Sequence, residues 1–529
     1  RDFCLSRGLG DVYKRQMKRY YLAVDIGTTN WKAAVFDEGG AMVSIARTPT
    51  VTYQDESGNS CYCAQEIWNA VSELCRSAQA QAGVRVAAVS VASVAEAVVA
   101  VDRQGNVQGD VITWFDRRSF RQAERLKDEL GAEYLYSVTG LDVNPIFSLP
   151  KILWIRENQP EVYEKTWKWL QIADYILFRL SGKAVTDYTL ASRTLVFDVA
   201  KNQWSDEILN AVDVPKDMLP DVLESGTVLG HVTAQAAQET GLPADAKVVV
   251  GGNDHPCGSV AAGILGAKKI LDSSGTAESF ILVSSKDAPP PMRFGGQRTC
   301  RFLEKDRFAL WGGIVCSGRS FDWAYDMLAA GLRQGPGPDY ERVLPAVLEE
   351  KGMEKGILFY PHLRGAGAPY WEPRSCGSFV GLRDSHTPAM MLKSVMEGLS
   401  MQARMIVEME EKFAGFQAER LCVIGGSSRN VQWQTIKANV LQKEIELCCE
   451  PEAVAQGAAM LAAIGDGVYA GISETAQVLA ANNRVIQPDE RMKAVYDPLY
   501  ELFQQGYDAM EAFNKMLFEY QQEGTVCRK

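Results

Sequence analysis

The sequence predicts a mixed α/β protein made of two domains of one architecture that face each other across a cleft. Short apolar runs separated by tight polar turns alternate with segments whose apolar residues recur at steps of three and four, as in strands and helices. A strand, Asp25 and a Gly-Thr turn open the fold, and the same order of features returns at Asp272. A chance recurrence of Gly-Thr turns is the alternative explanation.

Length and composition place the chain among globular proteins. Its 529 residues are 47% hydrophobic, and roughly 150 residues per domain predicts two to four domains. With 55 basic and 66 acidic residues, the chain lacks the cationic surplus typical of nucleic-acid-binding proteins. The longest apolar stretch, residues 84–101, is interrupted by Arg85 and Glu96 and falls short of the roughly 20 apolar residues of a membrane helix. We therefore expect neither a nucleic-acid partner nor a membrane partner.

The 12 cysteines and 4 histidines show no spacing typical of a disulfide framework or a zinc site. Reduced thiols in a cytoplasmic protein are the expectation. Residues 1–16 precede the first methionine, Met17, and lack the apolar core of a secretory signal. We expect these residues to be a leader that does not belong to the fold.

The predicted elements follow in chain order. Residues 21–24 and 31–36 are typical of two antiparallel strands joined by a turn at Gly27. The next predictions are helices over residues 65–80 and 118–130 and strands over residues 84–91 and 98–102. The second strand–turn–strand segment spans residues 269–271 and 279–283, which places the domain boundary between Gly263 and Lys268.

The C-terminal segment from Pro488 onward carries apolar and aromatic residues at steps of three and four. This spacing predicts an amphipathic helix that packs on the body of the protein. A role of the stripe in binding a cofactor or partner is the alternative. Its members are Tyr496, Leu499, Phe503, Tyr507, Met510, Phe513, Leu517 and Tyr520.

The turn after the first strand has the composition of a phosphate-binding loop. Gly27 lets the backbone approach an anion closely, and the hydroxyl groups of Thr28 and Thr29 can donate to phosphate oxygens. Asp25, at the end of the strand, can hold a hydrated Mg²⁺ ion. An ordinary hairpin turn is the alternative.

A second carboxylate, Asp254, stands at a corner between a predicted strand over residues 247–250 and an Ala- and Gly-rich helical run that extends to Ala262. Phosphoryl transfer to an alcohol needs a base that orients the hydroxyl group and accepts its proton. Asp254 is the candidate for that base. The alternative is that Asp254 caps the helix, a frequent use of aspartate at such corners.

A third strand–turn–helix corner contains Gly425, Gly426 and Ser427, with Asn430 at the start of a helix predicted around residues 433–441. Paired glycines allow a flat base or ribose to lie against the backbone, and Asn430 can hydrogen-bond it. This geometry is suited to a nucleotide.

Taken together and in this order, these segments resemble the FGGY carbohydrate kinases of the actin, hexokinase and Hsp70 fold group, over residues 20–507. In this resemblance Gly27, Thr28 and Thr29 form the first phosphate loop, Gly275 and Thr276 form the second, and Asp254 is the catalytic aspartate. The adenosine loop corresponds to Gly425, Gly426, Ser427 and Asn430, and a further nucleotide-side element to Gly318 with Trp323. Residues 114–118 and 363–382 also resemble family signature segments.

The resemblance implies two actin-like (ribonuclease H-like) ATPase domains, with a sugar-binding N-terminal domain over residues 17–265 and a nucleotide-binding C-terminal domain over residues 266–487. Residues 488–529 form the C-terminal helix. It also implies transfer of the γ-phosphate of ATP, with Mg²⁺, to a hydroxyl of a small sugar or polyol in a cleft that closes on binding. A homodimer is a further expectation from the family.

Residues of the sugar pocket are also implied by position in the family. Glu96 can accept two sugar hydroxyls and the Trp114 ring can cover the C–H face of a sugar. For these two residues the alternatives are a surface charge at a strand edge and a core tryptophan. The predicted substrate-binding set is Glu96, Trp114, Asp116, Arg118, Asp254 and His255.

Departures from the family bear on the acceptor. The glycerol kinase branch has Arg and Tyr where this chain has Ala95 and Ile146, which disfavours glycerol. Residues 93–97 read Ser-Val-Ala-Glu-Ala in place of the Gly-Gln-Met-His-Gly stretch of xylulose kinases, and His255 follows Asp254 where other branches have Asn or Gln. A pentulose, a hexulose or an alditol remains open.

Two other functions fit the same fold. One is a non-catalytic sugar- or nucleotide-responsive binding protein, against which the presence of Asp254 argues. The other is a chaperone-like or filament-forming ATPase, against which the sugar-site residues Glu96, Trp114 and Asp116 argue. ATP turnover that depends on a sugar distinguishes the kinase from both.

Overall fold

The computed structural model describes residues 18–264, 268–284, 297–329, 340–480 and 483–526. The predicted leader, residues 1–16, and the predicted domain boundary between residues 265 and 266 lie outside these residues.

The N-terminal half contains fifteen strands and ten helices within its described residues. The strands are β1 (Tyr20–Ile26), β2 (Asn30–Asp37), β3 (Met42–Pro49), β4 (Tyr53–Gln54), β5 (Ser60–Tyr62), β6 (Val86–Ser93), β7 (Val98–Val101), β8 (Val111–Ile112), β9 (Lys168–Gln171), β10 (Val185–Asp187), β11 (Phe197–Asp198), β12 (Gln203–Trp204), β13 (Asp221–Leu223), β14 (Val228–His231) and β15 (Lys247–Asn253). The helices are α1 (Ala64–Ala82), α2 (Phe120–Leu130), α3 (Ala132–Thr139), α4 (Ser148–Asn158), α5 (Pro160–Lys165), α6 (Ile172–Ser181), α7 (Tyr188–Ala191), α8 (Asp206–Ala211), α9 (Ala234–Thr240) and α10 (Asp254–Ala261).

Six of these strands form the main sheet of the N-terminal half, in the order β14-β15-β6-β1-β2-β3. Strands β1, β2 and β3 form an antiparallel meander, whereas β6 and β15 run parallel to β1. All residues of β1 after Tyr20 are buried, because helices cover both faces of the sheet at this strand. The predicted strand over residues 84–91 begins at Val86, since Gly83 at φ 64° first ends helix α1.

The C-terminal half contains nine strands and seven helices within its described residues. The strands are β16 (Lys269–Ser274), β17 (Glu278–Val283), β18 (Arg298–Arg301), β19 (Phe308–Ile314), β20 (Leu358–Tyr360), β21 (Ser378–Val380), β22 (Arg420–Gly425), β23 (Glu444–Leu447) and β24 (Arg484–Ile486). The helices are α11 (Gly318–Leu328), α12 (Tyr340–Glu349), α13 (Pro388–Ala414), α14 (Val431–Leu441), α15 (Ala453–Gly465), α16 (Ile472–Leu479) and α17 (Lys493–Val526).

The main sheet of the C-terminal half repeats the topology of the first. Its order is β18-β19-β17-β16-β22-β23-β24. Strands β16, β17 and β19 form an antiparallel meander, and β22 and β23 run parallel to β16, as β6 and β15 run parallel to β1. The predicted α/β class with two domains of one architecture is therefore confirmed, and the recurrence of Asp and Gly-Thr is not a coincidence of turn composition.

Helices α10 and α15 join the two halves. A Cβ atom at Gly457 of α15 would lie 1.8 Å from the carbonyl oxygen of Cys257 in α10, so only glycine permits this approach of the two backbones. A Cβ at the next residue, Gly258, would lie 2.5 Å from Ile424 of β22 and 3.4 Å from Val454 of α15. Helix α10 thus packs closely on both α15 and the second sheet.

The C-terminal helix α17 packs on the body through a seam that differs in part from the predicted stripe. The residues Tyr496, Tyr500, Phe503, Tyr507 and Asn514 are buried, and Met510 and Leu517 are half-buried. Phe513 and Tyr520 were assigned to the packed face, but they are 59% and 74% exposed. The heptad spacing of the seam places Asn514 inward, and Phe513 and Tyr520 therefore fall one residue off it.

No helix of the described residues is long and apolar enough to cross a membrane.

A buried charge cluster lies inside the C-terminal domain. The Nζ atom of Lys437, on α14, is 2.5 Å from carboxylate oxygens of both Asp272 and Glu278, and all three side chains are inaccessible to solvent. Burial and the adjacent Glu278 raise the pKa of Asp272, and Lys437 opposes this rise.

We expect the substitution Lys437→Met to destabilise the protein by about 3–5 kcal/mol, because it leaves a buried carboxylate without its cation. Thermal melting followed by circular dichroism measures the effect. Lys268→Met is the matched control, since its ion pair with Glu419 is exposed on both sides and should contribute little to stability. An equal decrease in melting temperature in the two variants would contradict the conclusion that Lys437 stabilises the buried carboxylates.

Candidate active site

The carboxyl ends of three neighbouring parallel strands meet at one edge of the N-terminal sheet. Ile26, Ser93 and Asn253, the last residues of β1, β6 and β15, lie level with one another in the strand register. An acidic side chain lies at or just beyond each of these ends: Asp25, Glu96 and Asp254. The fold thus gathers at one edge three carboxylates that are far apart in the sequence.

The predicted first phosphate loop is a tight turn at this edge. The Gly27 N–H donates to the Asn30 carbonyl at 3.1 Å, and the Thr50 hydroxyl donates to the Gly27 carbonyl at 2.8 Å. Thr28 and Thr29 are exposed. Both residues are therefore accessible to a ligand from solvent.

Asp25 lies beneath this loop, 5% exposed. Burial raises its pKa to about 6, helped by Asp254 and Glu452 and opposed by Lys32, whose Nζ is 3.5 Å away. Lys32 also contacts Glu452 of the C-terminal half at 2.7 Å. The carboxylate is thus held by one cation that both halves share.

Asp254 is the first residue of helix α10, and Asn253 occupies the N-cap position. The Asp254 carboxylate accepts a hydrogen bond from the His255 N–H at 2.8 Å and does not cap the helix through a later turn. Burial raises its pKa above the usual value, and His255 opposes this rise. A carboxylate with a raised pKa is a stronger base than a free aspartate.

His255 connects the two halves of the site. Its Nδ1 lies 2.8 Å from the Ser273 hydroxyl of β16, and its ring packs edge-on against Trp311 of β19 at 5.5 Å between centroids. The residue next to Asp254 is therefore anchored on the second sheet.

Glu96 is buried and occupies the left-handed region at φ 69°, which is uncommon for a residue with a side chain. Its carboxylate accepts a 2.6 Å hydrogen bond from Arg193, a residue that the sequence analysis did not select. The Arg193 guanidinium lies between the rings of Phe147 and Trp311, at 5.2 and 4.7 Å. The only signal for it in the sequence is one arginine inside the small and apolar run of residues 189–197.

Trp114 lies between the sugar side and the phosphate loop. Its indole Nε1 donates to the Thr28 hydroxyl at 3.0 Å, and its ring meets Phe115 edge-on. The indole is only half-buried. Trp114 therefore packs against the core and also lies beside the predicted phosphate loop, and its predicted contact with a sugar stays a prediction.

Asp116 and Arg118 chiefly bind each other. Three groups of Arg118, its N–H, Nε and Nη2, contact the Asp116 carboxylate at 2.8–3.0 Å, and the Ser60 N–H adds a further bond at 2.5 Å. Burial would raise the pKa of Asp116, but these hydrogen bonds outweigh it and lower the pKa. With Asp116 buried, this pair supports the segment that carries Trp114, and its predicted contact with a sugar stays a prediction.

The predicted nucleotide-binding region is built from close backbone contacts between three glycine-containing corners. The Gly318 N–H donates to the Gly275 carbonyl at 3.1 Å, and the Ser317 N–H donates to the Thr276 carbonyl at 3.0 Å. A Cβ at Gly318 would lie 2.3 Å from the Gly275 oxygen, and one at Gly425 would lie 2.4 Å from the Ser274 oxygen. The predicted second phosphate loop, helix α11 and the predicted adenosine loop thus converge.

Asn430 caps a helix at this corner. Its side-chain oxygen accepts from the Trp433 N–H at 3.0 Å and caps helix α14. Gly426 and Ser427 lie in the short helical turn just before it, where the Gln434 amide donates to both the carbonyl and the hydroxyl of Ser427. The predicted contact of Asn430 with a nucleotide is not tested by this geometry.

The arrangement was compared with known proteins. The N-terminal domain of the FGGY family of carbohydrate kinases matches residues 20–261, and the C-terminal domain of that family matches residues 272–465. The xylulose kinase of Bacillus subtilis (strain 168) is 27% identical over 503 residues, covering 94% of this chain and 99% of that protein. The glycerol kinase of Lactobacillus acidophilus is 29% identical over 497 residues, covering 91% and 96%.

Among solved structures, the ligand-bound xylulose kinase from Lactobacillus acidophilus superposes with a TM-score of 0.86 at 23% identity, covering 93% of this chain and 99% of that chain. This likeness shows the shared fold, and the predicted pair of actin-like domains is confirmed. FGGY kinases are sugar and polyol phosphotransferases that use ATP as phosphate donor. With both family domains matched in order along most of its length, the chain belongs to the FGGY family of carbohydrate kinases.

Proposed function

We propose that this carbohydrate kinase transfers the γ-phosphate of ATP to a hydroxyl group of a small ketose or polyol, with Asp254 as the general base. The observation that carries the proposal is the position of Asp254. Its carboxylate stands at the amino end of α10, level with the phosphate loop of β1, and burial raises its pKa. The His255 N–H fixes the carboxylate in place.

In this mechanism Asp254 orients the attacking hydroxyl and accepts its proton as the bond to phosphorus forms. The hydroxyl groups of Thr28 and Thr29 and the backbone at Gly275 and Thr276 hold phosphate oxygens. Closure of the cleft excludes water, which favours transfer to the sugar over hydrolysis.

The residues at the site fit a nucleotide and a magnesium ion. The absence of side chains at Gly318 and Gly425 lets their backbones contact the Gly275 and Ser274 carbonyl groups, and the buried Ser274 hydroxyl at this corner has no hydrogen-bond partner within the protein. Asp25 supplies the carboxylate oxygen that Mg²⁺ prefers, through water. The ion would neutralise charge on the phosphates during transfer.

The acceptor is bound, in this proposal, by Glu96, Trp114 and His255. Arg193 occupies Oε1 of Glu96, so Oε2 remains to accept a sugar hydroxyl. The relatives named for xylulose and for glycerol support a ketose or polyol as the acceptor class. Ala95 and Ile146 disfavour glycerol within that class, as the sequence indicated.

The function is tested by coupled measurement of ADP release with Mg·ATP against pentuloses, hexuloses, tetritols, pentitols, hexitols and glycerol. We expect one acceptor class to stimulate ADP release strongly, and EDTA to abolish the stimulation because the phosphates lose their counter-ion. Binding of ATP without stimulation by any acceptor would favour the non-catalytic binding protein instead.

Substitution of Asp254 by Asn should lower kcat by at least about a hundredfold, the usual contribution of a positioned base, while the Kd for ATP stays within a few-fold. Asp187→Asn is the matched control. Asp187 is also buried, burial raises its pKa to about 6, and its two carboxylate oxygens accept from the Thr189 and Leu190 N–H groups at the start of α7, so asparagine keeps one of these two capping bonds.

The same base predicts a pH dependence. Because burial raises the pKa of Asp254 above 3.8, kcat/KM of the wild type should fall as the pH is lowered through this raised value and the carboxylate is protonated. Retained turnover in the Asp254→Asn variant would remove Asp254 from the role of base.

The close contact between Gly318 and the Gly275 carbonyl predicts a selective effect on the KM for ATP. In Gly318→Ala the new methyl group must displace the Gly275 carbonyl, so the KM for ATP should rise about tenfold or more while the KM for the acceptor changes little. Gly471→Ala serves as the control, because a Cβ at Gly471 meets no atom within 4 Å. A rise in the acceptor KM alone would contradict this assignment.

A further inference from the structure

Lys151 lies fully buried in helix α4 of the N-terminal domain, beneath the proposed acceptor site. Its Nζ atom donates to three main-chain carbonyl oxygens: Ile146 at 2.7 Å, Glu96 at 3.1 Å and Trp114 at 3.5 Å. An ammonium group has three N–H donors, and these three acceptors match their number. Among the described residues, no carboxylate lies within ion-pair distance of Nζ.

This burial is energetically unfavourable for a cation. It lowers the pKa of Lys151 to about 7, although the carboxylates of Glu96 and Asp116 raise it; Arg118 lowers it further. A position that needed only to be filled would hold leucine or methionine, which have no charge to desolvate. Because burying the ammonium group costs free energy, we infer that its hydrogen bonds stabilise a particular arrangement of the main chain.

The carbonyl groups belong to three separate segments that meet at the acceptor site. Glu96 follows β6, Trp114 follows β8, and Ile146 precedes α4. No main-chain ladder joins these three residues, so a side chain has to tie them together.

Of the three segments, the one at Glu96 depends most on side chains that hold its backbone. Its φ of 69° costs free energy, and such a conformation persists only where the surroundings hold it. The Glu96 N–H donates to the Gln171 side chain at 2.7 Å, and its carbonyl accepts from Lys151. The backbone is therefore held from both sides, while Arg193 holds the carboxylate.

We propose that Lys151 is a positioning residue of the acceptor site, which fixes the main chain at Glu96 and Trp114 so that the Glu96 carboxylate and the Trp114 indole meet the sugar together. This inference rests on the proposed function of that site. Lys151 does not touch the sugar or the nucleotide, and it acts through the two residues whose carbonyl groups it binds.

The test is the substitution Lys151→Met, which keeps the length of the side chain and removes its donors. We expect the KM for the acceptor to rise about tenfold or more, because a displacement of about 1 Å in a binding residue costs up to a hundredfold. The KM for ATP should change much less, since Lys151 reaches the phosphate loop only indirectly, through the hydrogen bond from Trp114 to Thr28.

The matched control is Lys393→Met. Lys393 is also buried and donates to the carbonyl groups of Leu348 and Glu350, but it lies in the C-terminal domain on α13. A structural lysine of this kind should lower the melting temperature and leave both KM values unchanged. If Lys151→Met behaves like Lys393→Met, the proposal is wrong.

A second variant covers the case in which Lys151→Met does not fold. Lys151→Gln retains two N–H donors without the charge, and we expect an acceptor KM between those of the wild type and the Met variant. A Gln variant with the wild-type acceptor KM, or with equal rises in both KM values, overturns the proposal. Failure of the proposed function is distinguishable, because the wild type itself would then show no acceptor-dependent turnover.

Discussion

The contact between helices α10 and α15 is the constraint on which the rest of the site depends. Gly457 lets α15 approach the Cys257 carbonyl of α10, and Gly258 lets the same helix approach β22 of the second sheet. Because Asp254 is the first residue of α10, the packing of this helix fixes the distance between the proposed base and the loops at Gly275 and Gly425. Any side chain at Gly457 would separate α10 from α15 and shift Asp254, the proposed base, relative to the loops at Gly275 and Gly425.

One topology appears twice, but the two copies carry different chemistry. In both sheets the parallel strands end level with each other, which gathers the residues that follow them at one edge. In the N-terminal copy acidic residues lie at those ends, as expected for a site that binds hydroxyl groups and accepts a proton. In the C-terminal copy glycines lie there, and they let the corners of the proposed nucleotide site come into close backbone contact. The acidic edge of the N-terminal copy and the glycine corners of the C-terminal copy face each other across the cleft.

The proposed acceptor site is held by buried charges that the sequence analysis did not find. Arg193 binds the carboxylate of Glu96, and Lys151 binds its carbonyl. Both are single cations inside small or apolar runs, and sequence alone does not distinguish such a residue from one that extends to the surface. The same holds for Lys437, which neutralises Asp272 and Glu278 from a helix far along the chain. Each pairing depends on which strands become neighbours.

The sequence by itself determined the α/β class, the duplicated strand–turn–strand segment and the glycine and aspartate corners, because spacing and turn chemistry are local properties. It also placed an amphipathic helix at the C-terminus. Only the tertiary structure decided that Asn514 rather than Phe513 faces the body and that Glu96 is bound by Arg193. These outcomes follow from long-range packing, which selects one face of a helix and one partner for each charge among several that the local sequence allows equally.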